Sequence, residues 1–355
     1  MKLSFLPKRK ILSLDIGAYE IKVVEGRFSR NGIIINNYFT IDMPENAYND
    51  GIIVDRDLVY YVLEEGIRAN QTKSRNTYAT INSSSIITRE VIIPRVDYEE
   101  IENILEFQLD DYIPMNPENY IVQFKIIDVI YQDDIEKLKI LLIAIPKEII
   151  EGYHKLLIDL NLNPLILDYQ PNSIAKLTEF NGFINDIYPT AGVTIAAIDI
   201  GYDSTKVSII RDGIVQVSRV VEIAGRYIDQ NILSFSNLAK DELELVKQEI
   251  KDINHIDRNY SKDDYVVNSI RNALGELNEK INFIFKYYLT REMNNKIDII
   301  ILFGGYADIG GIDNFYSNYF NIPSIKIKNL NNVHFDGKLS TYINPIGSII
   351  RTIGV

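Results

Sequence analysis

One short pattern occurs twice in this 355-residue chain, and it constrains the fold more than any other feature. LSLDIGAYEIKVV and AAIDIGYDSTKVSI align at Asp15/Asp199, Ile16/Ile200, Gly17/Gly201, Lys22/Lys206 and Val23/Val207. Each copy is an apolar strand ending in Asp, then Gly, a turn, and a Lys on the returning strand. A single copy would be an ordinary hairpin, because Asp and Gly are common turn residues. Two copies in one register, followed by a third element, point to paired clamps facing a shared cleft. The chemistry suits a phosphate tail. Glycine admits a phosphate close to the backbone. Turn amides form an anion nest. The Asp15 and Asp199 carboxylates suit a hydrated Mg²⁺, which prefers carboxylate oxygens, waters and phosphates. Lys22 offers a compact positive charge. The third element is the apolar strand Ile297–Phe303, which runs into Gly304-Gly305 and suits close approach by a base or ribose. Its glycines do not form G-x-G-x-x-G, and the chain holds no Walker A sequence.

The rest of the chain organises around these copies. Residues 11–42 read as three short strands with tight turns, a helix opens after Asp55, and another strand spans Thr77–Asn82. Residues 83–163 read strand, helix, strand, strand, helix, an inserted subdomain able to bury its own core. Its helix carries Ile101, Ile104, Leu105 and Leu109 on one stripe and acidic residues opposite; Phe107 and Tyr112 are expected in the core. A strand then leads to Gln170-Pro171 and a helix, with Gln170 a polar helix-start residue. From Arg226 to about Met293 the pattern is helical and highly charged, and its acidic-basic run at 240–264 is expected to be a solvated face plus a loop. A strand, a helix, a strand and a terminal helix at Pro345–Ile353 follow.

Charge and composition exclude several classes. Lys and Arg total 37 against 49 Asp and Glu, a net charge of −12 that repels a nucleic-acid backbone. The chain has no Cys, so disulfides and thiolate chemistry are out, and its three His form no metal motif. No apolar run approaches the roughly 18–20 residues of a membrane span. The opening MKLSFLPKRK is short for a secretory signal. Leu3, Phe5 and Leu6 beside Lys8–Lys10 are expected to form a disordered tail. A cytoplasmic location is expected.

The three elements together resemble the actin/hexokinase/heat-shock-chaperone ATPase superfamily. DIGAYEIK resembles its phosphate-1 hairpin, DIGYDSTKVSII its phosphate-2 hairpin, IIILFGGYADIGG its adenosine motif, LDYQPNSIAKL its first connecting motif and IAGRYID its glycine turn after phosphate 2. The resemblance implies an α/β, actin-like, ribonuclease-H-like two-lobed ATPase fold that binds ATP and Mg. It implies cofactor contacts at Asp15, Gly17, Ala18, Tyr19, Lys22, Asp199, Gly201, Ser204, Thr205, Gly225, Glu279, Gly304, Gly305 and Tyr306. It places Mg near Asp15 and Asp199, through water, and Gln170 where relatives orient an attacking water. Several positions depart from the pattern. Ala18-Tyr19-Glu20 lacks the usual hydroxyls, with Glu20 close to the phosphates. Tyr306 replaces a small residue, and Asn282 and Phe283 stand where Arg and Ser are expected.

The inserted block is similar to subdomain 1C of the FtsA and PilM families, and REVIIP, DDYIPMNPENY and LLIAIPKEIIEGYHKLLIDLNLNPLILD favour the PilM family of type IV pilus assembly. That resemblance implies subdomain 1A at 10–82, 164–190 and 341–355, 1C at 83–163, 2A at 191–225 and 295–340, and 2B at 226–294. It implies an ATP-binding scaffold, at most a weak ATPase. Its partner would be the cytoplasmic N-terminal peptide of the membrane protein PilN, held between 1A and 1C around Ser83–Asn119. Pilus motor ATPases are implied as further partners, and membrane association is indirect. The alternatives are an FtsA-like filament-forming protein or a small-molecule kinase of the same superfold; no convincing substrate-side Asp cluster supports the latter, Asp97 and Asp168 being weak candidates.

Overall fold

The computed structural model describes residues 10–351 apart from 30, 114–115, 133, 236–241 and 256–261. The expected N-terminal tail (Leu3, Phe5, Leu6) and the last residues of the expected terminal helix lie outside the described residues.

The strand β1 (Ile11–Ile16) is buried at all six positions, as a continuous apolar run should be at the centre of a sheet. It pairs antiparallel with β2 (Glu20–Ser29), which pairs antiparallel with β3 (Gly32–Asp42). A small hairpin, β4 (Tyr48–Asn49) and β5 (Ile52–Ile53), leads into α1 (Arg56–Ala69). Asp55 caps that helix by accepting from the Leu58 N–H, as the sequence predicts. β6 (Asn76–Ile81) then pairs parallel with β1.

The insertion follows: β7 (Ile87–Pro94), α2 (Tyr98–Phe107), the short α3 (Leu109–Tyr112), β8 (Tyr120–Gln132) and β9 (Ile135–Pro146). Its antiparallel sheet has the order β7-β9-β8. Along β9, Leu138, Ile140, Leu142 and Ala144 face the insert's own core, while Leu141, Ile143 and Ile145 face the main core. That two-residue alternation fastens the insert to the body. The next helix, α4 (Lys147–Asp159), was expected within the insert. Instead its buried stripe of Tyr153, Leu156 and Leu157 joins the main core. The separately packed insert therefore ends at β9. Phe107 also departs from expectation, being 96% exposed. It lies two residues past the buried Leu105, about 200° around the helix, so it shares the acidic face. Tyr112 is half-buried against the insert's core, and its hydroxyl donates to Gln108 Oε1 at 2.6 Å.

β10 (Asn163–Tyr169) completes the parallel edge beside β6, and α5 (Pro171–Phe180) follows. A two-residue hairpin, β11 (Phe183–Ile184) and β12 (Tyr188–Pro189), leads to the second lobe. There β13 (Thr194–Ile200), β14 (Thr205–Arg211) and β15 (Ile214–Val221) form a second antiparallel meander. Helices α6 (Gly225–Phe235), α7 (Leu243–Glu249) and α8 (Lys262–Leu289) precede β16 (Ile299–Phe303), α9 (Ile312–Phe320) and β17 (Ser324–Lys326). β18 (Val333–His334) returns to the first sheet beside β3, and α10 (Leu339–Ser348) closes the described chain.

The duplication extends from the hairpins to whole sheets. The first sheet runs β10-β6-β1-β2-β3-β18, and the second, read from its far edge, runs β17-β16-β13-β14-β15. In both, an antiparallel meander of three strands is flanked by two strands parallel to its first member. Helices α5 and α10 share one apolar core with residues of both sheets. In β13, Ile195 and Ala197 face that shared core, while Ala196, Ile198 and Ile200 face the second lobe's own helices. α10 kinks at Tyr342, where φ is −107° and ψ 15°, and contains Pro345, which has no N–H to continue the helical ladder.

Candidate functional site

The two hairpins repeat each other bond for bond. Asp15 lies opposite Lys22 and Asp199 opposite Lys206. The Gly17 N–H donates to the Glu20 carbonyl at 3.2 Å, and the Gly201 N–H to the Ser204 carbonyl at 3.2 Å. Both turns open on one cavity of about 530 Å³, within the usual size of ligand sites.

Of the expected residues, Asp15, Gly17, Ala18, Tyr19, Lys22, Gln170, Asp199, Gly201, Ser204, Gly305 and Tyr306 line this cavity. Thr205, Gly225, Gly304 and Glu279 are not in its lining. Thr205 is buried and donates its hydroxyl to the Ile223 carbonyl at 2.7 Å. Gly304, at φ +91°, sits behind Asp199, where a Cβ would come within 2.4 Å of Asp199 Oδ1. That position is open only to glycine, on both backbone and steric grounds. Gly225 is covered by the Tyr306 ring, which a Cβ would meet at 2.0 Å. Glu279 is exposed on α8.

The two aspartates are buried and tied to each other. Asp15 Oδ1 accepts from Thr80 Oγ1 at 2.7 Å and from Gln170 Nε2 at 3.1 Å. Asn344 Nδ2 donates to Asp15 Oδ2 at 3.2 Å and to Asp199 Oδ2 at 3.0 Å. One side-chain amide from α10 therefore bridges both hairpins. Gln170, expected to orient a water, has its amide nitrogen engaged with Asp15. Burial alone would lower the Lys22 ammonium, but the carboxylates of Asp15, Glu20 and Asp199 outweigh it and raise its pKa. Glu20 lies 3.5 Å from Lys22 Nζ, so its charge is paired within the hairpin.

The lining carries six carboxylates (Asp15, Glu20, Asp50, Asp199, Asp203, Glu222) against Lys22, Lys206 and Arg226. An anion entering alone would meet net repulsion; one accompanied by a divalent cation would not. Among the described residues no group of three or more His, Asp or Glu is assembled as a metal cage. The donor set would instead suit a hydrated Mg²⁺ arriving with phosphates: Asp15 and Asp199 could accept from its waters, and the two turns could meet the phosphate oxygens. Such an ion would neutralise phosphate charge.

Aromatic side chains wall the cavity. The Tyr19 and Tyr202 rings, one from each turn, meet with centroids 4.9 Å apart. Tyr202 lies under the Arg226 guanidinium at 5.2 Å and beside Tyr306 at 6.4 Å. The Tyr306 hydroxyl donates to Asp229 Oδ2 at 2.5 Å and accepts from Lys247 Nζ at 3.0 Å, and the same ammonium stands 4.5 Å above the ring. Burial, then the Asp229 hydrogen bond, pushes the Tyr306 phenol far above its usual range. The acidic-basic run was expected to be solvated, but Lys247 is only 9% exposed and joins Asp229 at 2.9 Å. Asn344, Thr80, Lys247 and Asp229 carry no local sequence signal. Tyr202 does, because it sits within the second hairpin turn.

The insert also contacts the second lobe. Lys139 of β9 reaches Glu292 at 2.6 Å and Glu90 of β7 at 3.2 Å, and Glu90 also pairs with Arg291. Arg219 of β15 donates to Thr88 Oγ1 at 3.1 Å. The Lys139 hydrogen bond holds the Glu292 carboxyl below its usual range.

Comparison with known proteins agrees with this architecture. The chain is similar to the structure described as "PilM-PilN type IV pilus biogenesis complex", with a TM-score of 0.77, 18% identity and 97% of each chain covered. It is similar to the ethanolamine utilization protein EutJ from Carboxydothermus hydrogenoformans, with a TM-score of 0.58, 12% identity, and 98% and 91% of the two chains covered. It is also similar to MreB 5 of Spiroplasma citri bound to AMPPNP, with a TM-score of 0.54, 13% identity, and 96% and 95% covered. The chain has the actin-like fold these structures share. Among the described residues, no helix is long and apolar enough to cross a membrane. Residues 13–341 match the family described as type IV pilus assembly protein PilM. The chain belongs to the PilM family of type IV pilus assembly proteins.

Proposed function

We propose that this chain is a nucleotide-binding scaffold that holds Mg-ATP between its two hairpins and captures the cytoplasmic N-terminal peptide of a PilN-type membrane protein. The observation that carries the nucleotide half is the Asn344 amide shared by Asp15 and Asp199, which sets both hairpins on one polyphosphate-sized cavity. A relative solved with AMPPNP on the same fold supports it. The partner half is supported by family membership and by a similar structure described as a PilM-PilN complex. A surface cavity of about 590 Å³ lies where the insert meets α4, lined by Asn116, Asn119, Tyr120, Pro146, Lys147 and Glu148, and is the candidate peptide seat. The protein would then act at the inner face of the membrane through this partner, and pilus motor ATPases would be its further contacts. Turnover would be weak at most; Gln170 Nε2 is held by Asp15, which leaves Oε1 as the atom that would accept from an attacking water. The latch of Lys139, Glu90, Arg291 and Glu292 gives nucleotide-dependent lobe movement a route to the insert.

Calorimetry with Mg-ATP and with the PilN peptide, each alone and together, tests both halves. Asp199→Ala weakens Mg-ATP binding more than Glu20→Ala, because Glu20 is paired within its own hairpin; equal losses would contradict the clamp. Lys147→Glu weakens peptide capture and leaves nucleotide binding intact; undiminished capture would place the groove elsewhere.

A further inference from the structure

A nucleotide offers two things to recognise, a charged phosphate tail and a flat base. Proteins hold bases largely by stacking on an aromatic face. The cavity between the hairpins is lined by the tyrosines Tyr19, Tyr48, Tyr202 and Tyr306, and of these Tyr202 and Tyr306 are already engaged by other side chains. Tyr202 is covered by the Tyr19 ring at 4.9 Å and the Arg226 guanidinium at 5.2 Å. Lys247 Nζ stands 4.5 Å from the Tyr306 ring centroid at the hydroxyl end, and the ring's Cδ2–Cε2–Cζ edge fills the space over Gly225. The Tyr306 ring is fixed there by Asp229 at 2.5 Å and Lys247 at 3.0 Å. Without that ring, the glycine turn that opens α6 would leave a recess over Gly225. Glu279 and Phe283 of α8 are exposed and line no part of the cavity.

We infer that this cleft takes magnesium polyphosphates as a class and leaves the base unread, because Tyr306 occupies the recess that a base would need. This rests on the polyphosphate-clamp reading above. Recognition falls to the two turns, Lys22, Lys206 and the magnesium held near Asp15 and Asp199. Adenine, guanine and no base at all are then nearly equivalent to the protein.

The test is calorimetry on the full chain with Mg-ATP, Mg-GTP and magnesium tripolyphosphate. The three dissociation constants are expected to agree within about threefold. Tyr306→Ala empties the recess, and the ratio of ATP to tripolyphosphate affinity rises by about tenfold as the base buries its surface there. Tyr306→Phe loses the bonds to Asp229 and Lys247 but keeps the ring's bulk over Gly225, and its ratio stays near that of the wild type, which separates an emptied recess from merely broken hydrogen bonds. Wild-type binding of Mg-ATP more than about tenfold tighter than both other ligands overturns the inference while leaving the clamp standing. Binding of none of the three overturns the clamp and the inference together.

Discussion

Asn344→Leu removes a side chain that donates to both halves of the site. Asn344 Nδ2 lies 3.2 Å from Asp15 Oδ2 and 3.0 Å from Asp199 Oδ2, so those two oxygens are within about 6 Å of each other. Two like charges at that separation repel by about 3 kcal/mol at an effective dielectric of about 20. The amide offsets this by donating to both. Each hydrogen bond to a charged group contributes about 1.5–3 kcal/mol. Asp15 keeps Thr80 and Gln170, so its loss falls at the low end. Asp199 loses its amide partner while only 7% exposed, so its loss falls at the high end. Together they amount to about 4 kcal/mol, and at about 2 °C per kcal/mol the apparent Tm falls by about 8 °C. Leucine keeps the branched outline of asparagine but is bulkier, so any overpacking at this buried position adds to the loss. The two freed carboxylates then face each other without a donor, and a divalent cation relieves them by mass action. Differential scanning calorimetry with and without magnesium reads both effects. The variant is expected to recover more from magnesium than the wild type gains. A drop under about 2 °C, or equal magnesium shifts in both proteins, would refute the bridging role.

Three further perturbations probe other parts of the fold. Gly225→Ala drives a Cβ to 2.0 Å from the Tyr306 ring and is expected to destabilise by about 2–3 kcal/mol; adding Tyr306→Ala should restore much of that, and additive losses in a double-mutant cycle would count against the contact. Lys139→Met unpairs Glu292 and leaves Glu90 with Arg291 alone, so hydrogen exchange should rise in the loop after α8 and in β7 together; a rise confined to one of them would mean that Lys139 does not couple the insert to the second lobe. Asp168 is buried; burial alone would raise its carboxyl, but Lys176 at 2.6 Å and Arg351 hold it below its usual range. Its folded pKa lies below its unfolded value, so its contribution is complete above about pH 4 and is lost as pH falls through the folded value. Asp168→Asn should therefore cost about 3 kcal/mol at pH 7 and flatten the acid limb of a stability-against-pH curve; an unchanged acid limb would be inconsistent with this pairing.

The parts of this molecule that were readable in one dimension are those whose physics is local. An apolar strand ending in Asp-Ile-Gly dictates its own turn, so both hairpins, each with a Lys on its returning strand, followed from eight residues each; the Asp–Lys pairings came with the structure. The facing of the hairpins also followed, because a duplicated unit packed about shared helices must present equivalent corners to one another. Long-range partners left no such mark. Asn344 is separated from Asp15 by 329 positions, and nothing in NPIGSII distinguishes it from a solvent-facing amide. Lys247 sits in a run of alternating charge, where the default for every member is water, and only the fold reveals the Asp229 and Tyr306 beside it. α4 follows the insert without a break in chain pattern, and its membership of the main core is set by which side its apolar stripe meets. Phe107 shows the opposite error: hydrophobicity alone assigned it to a core, while the 3.6-residue period already placed it on the acidic face. Tyr306 lies between these cases. As a departure from a small residue it was visible in the sequence, but its consequence depends on Gly225, 81 residues earlier, leaving a space of the right shape. The two ends of the proposed site are thus set by different physics. The hairpin corners are fixed by local backbone geometry, and the end over Gly225 by whatever side chain long-range packing brings over the α6 turn. A change in base selectivity with preserved phosphate binding is the outcome such an arrangement permits.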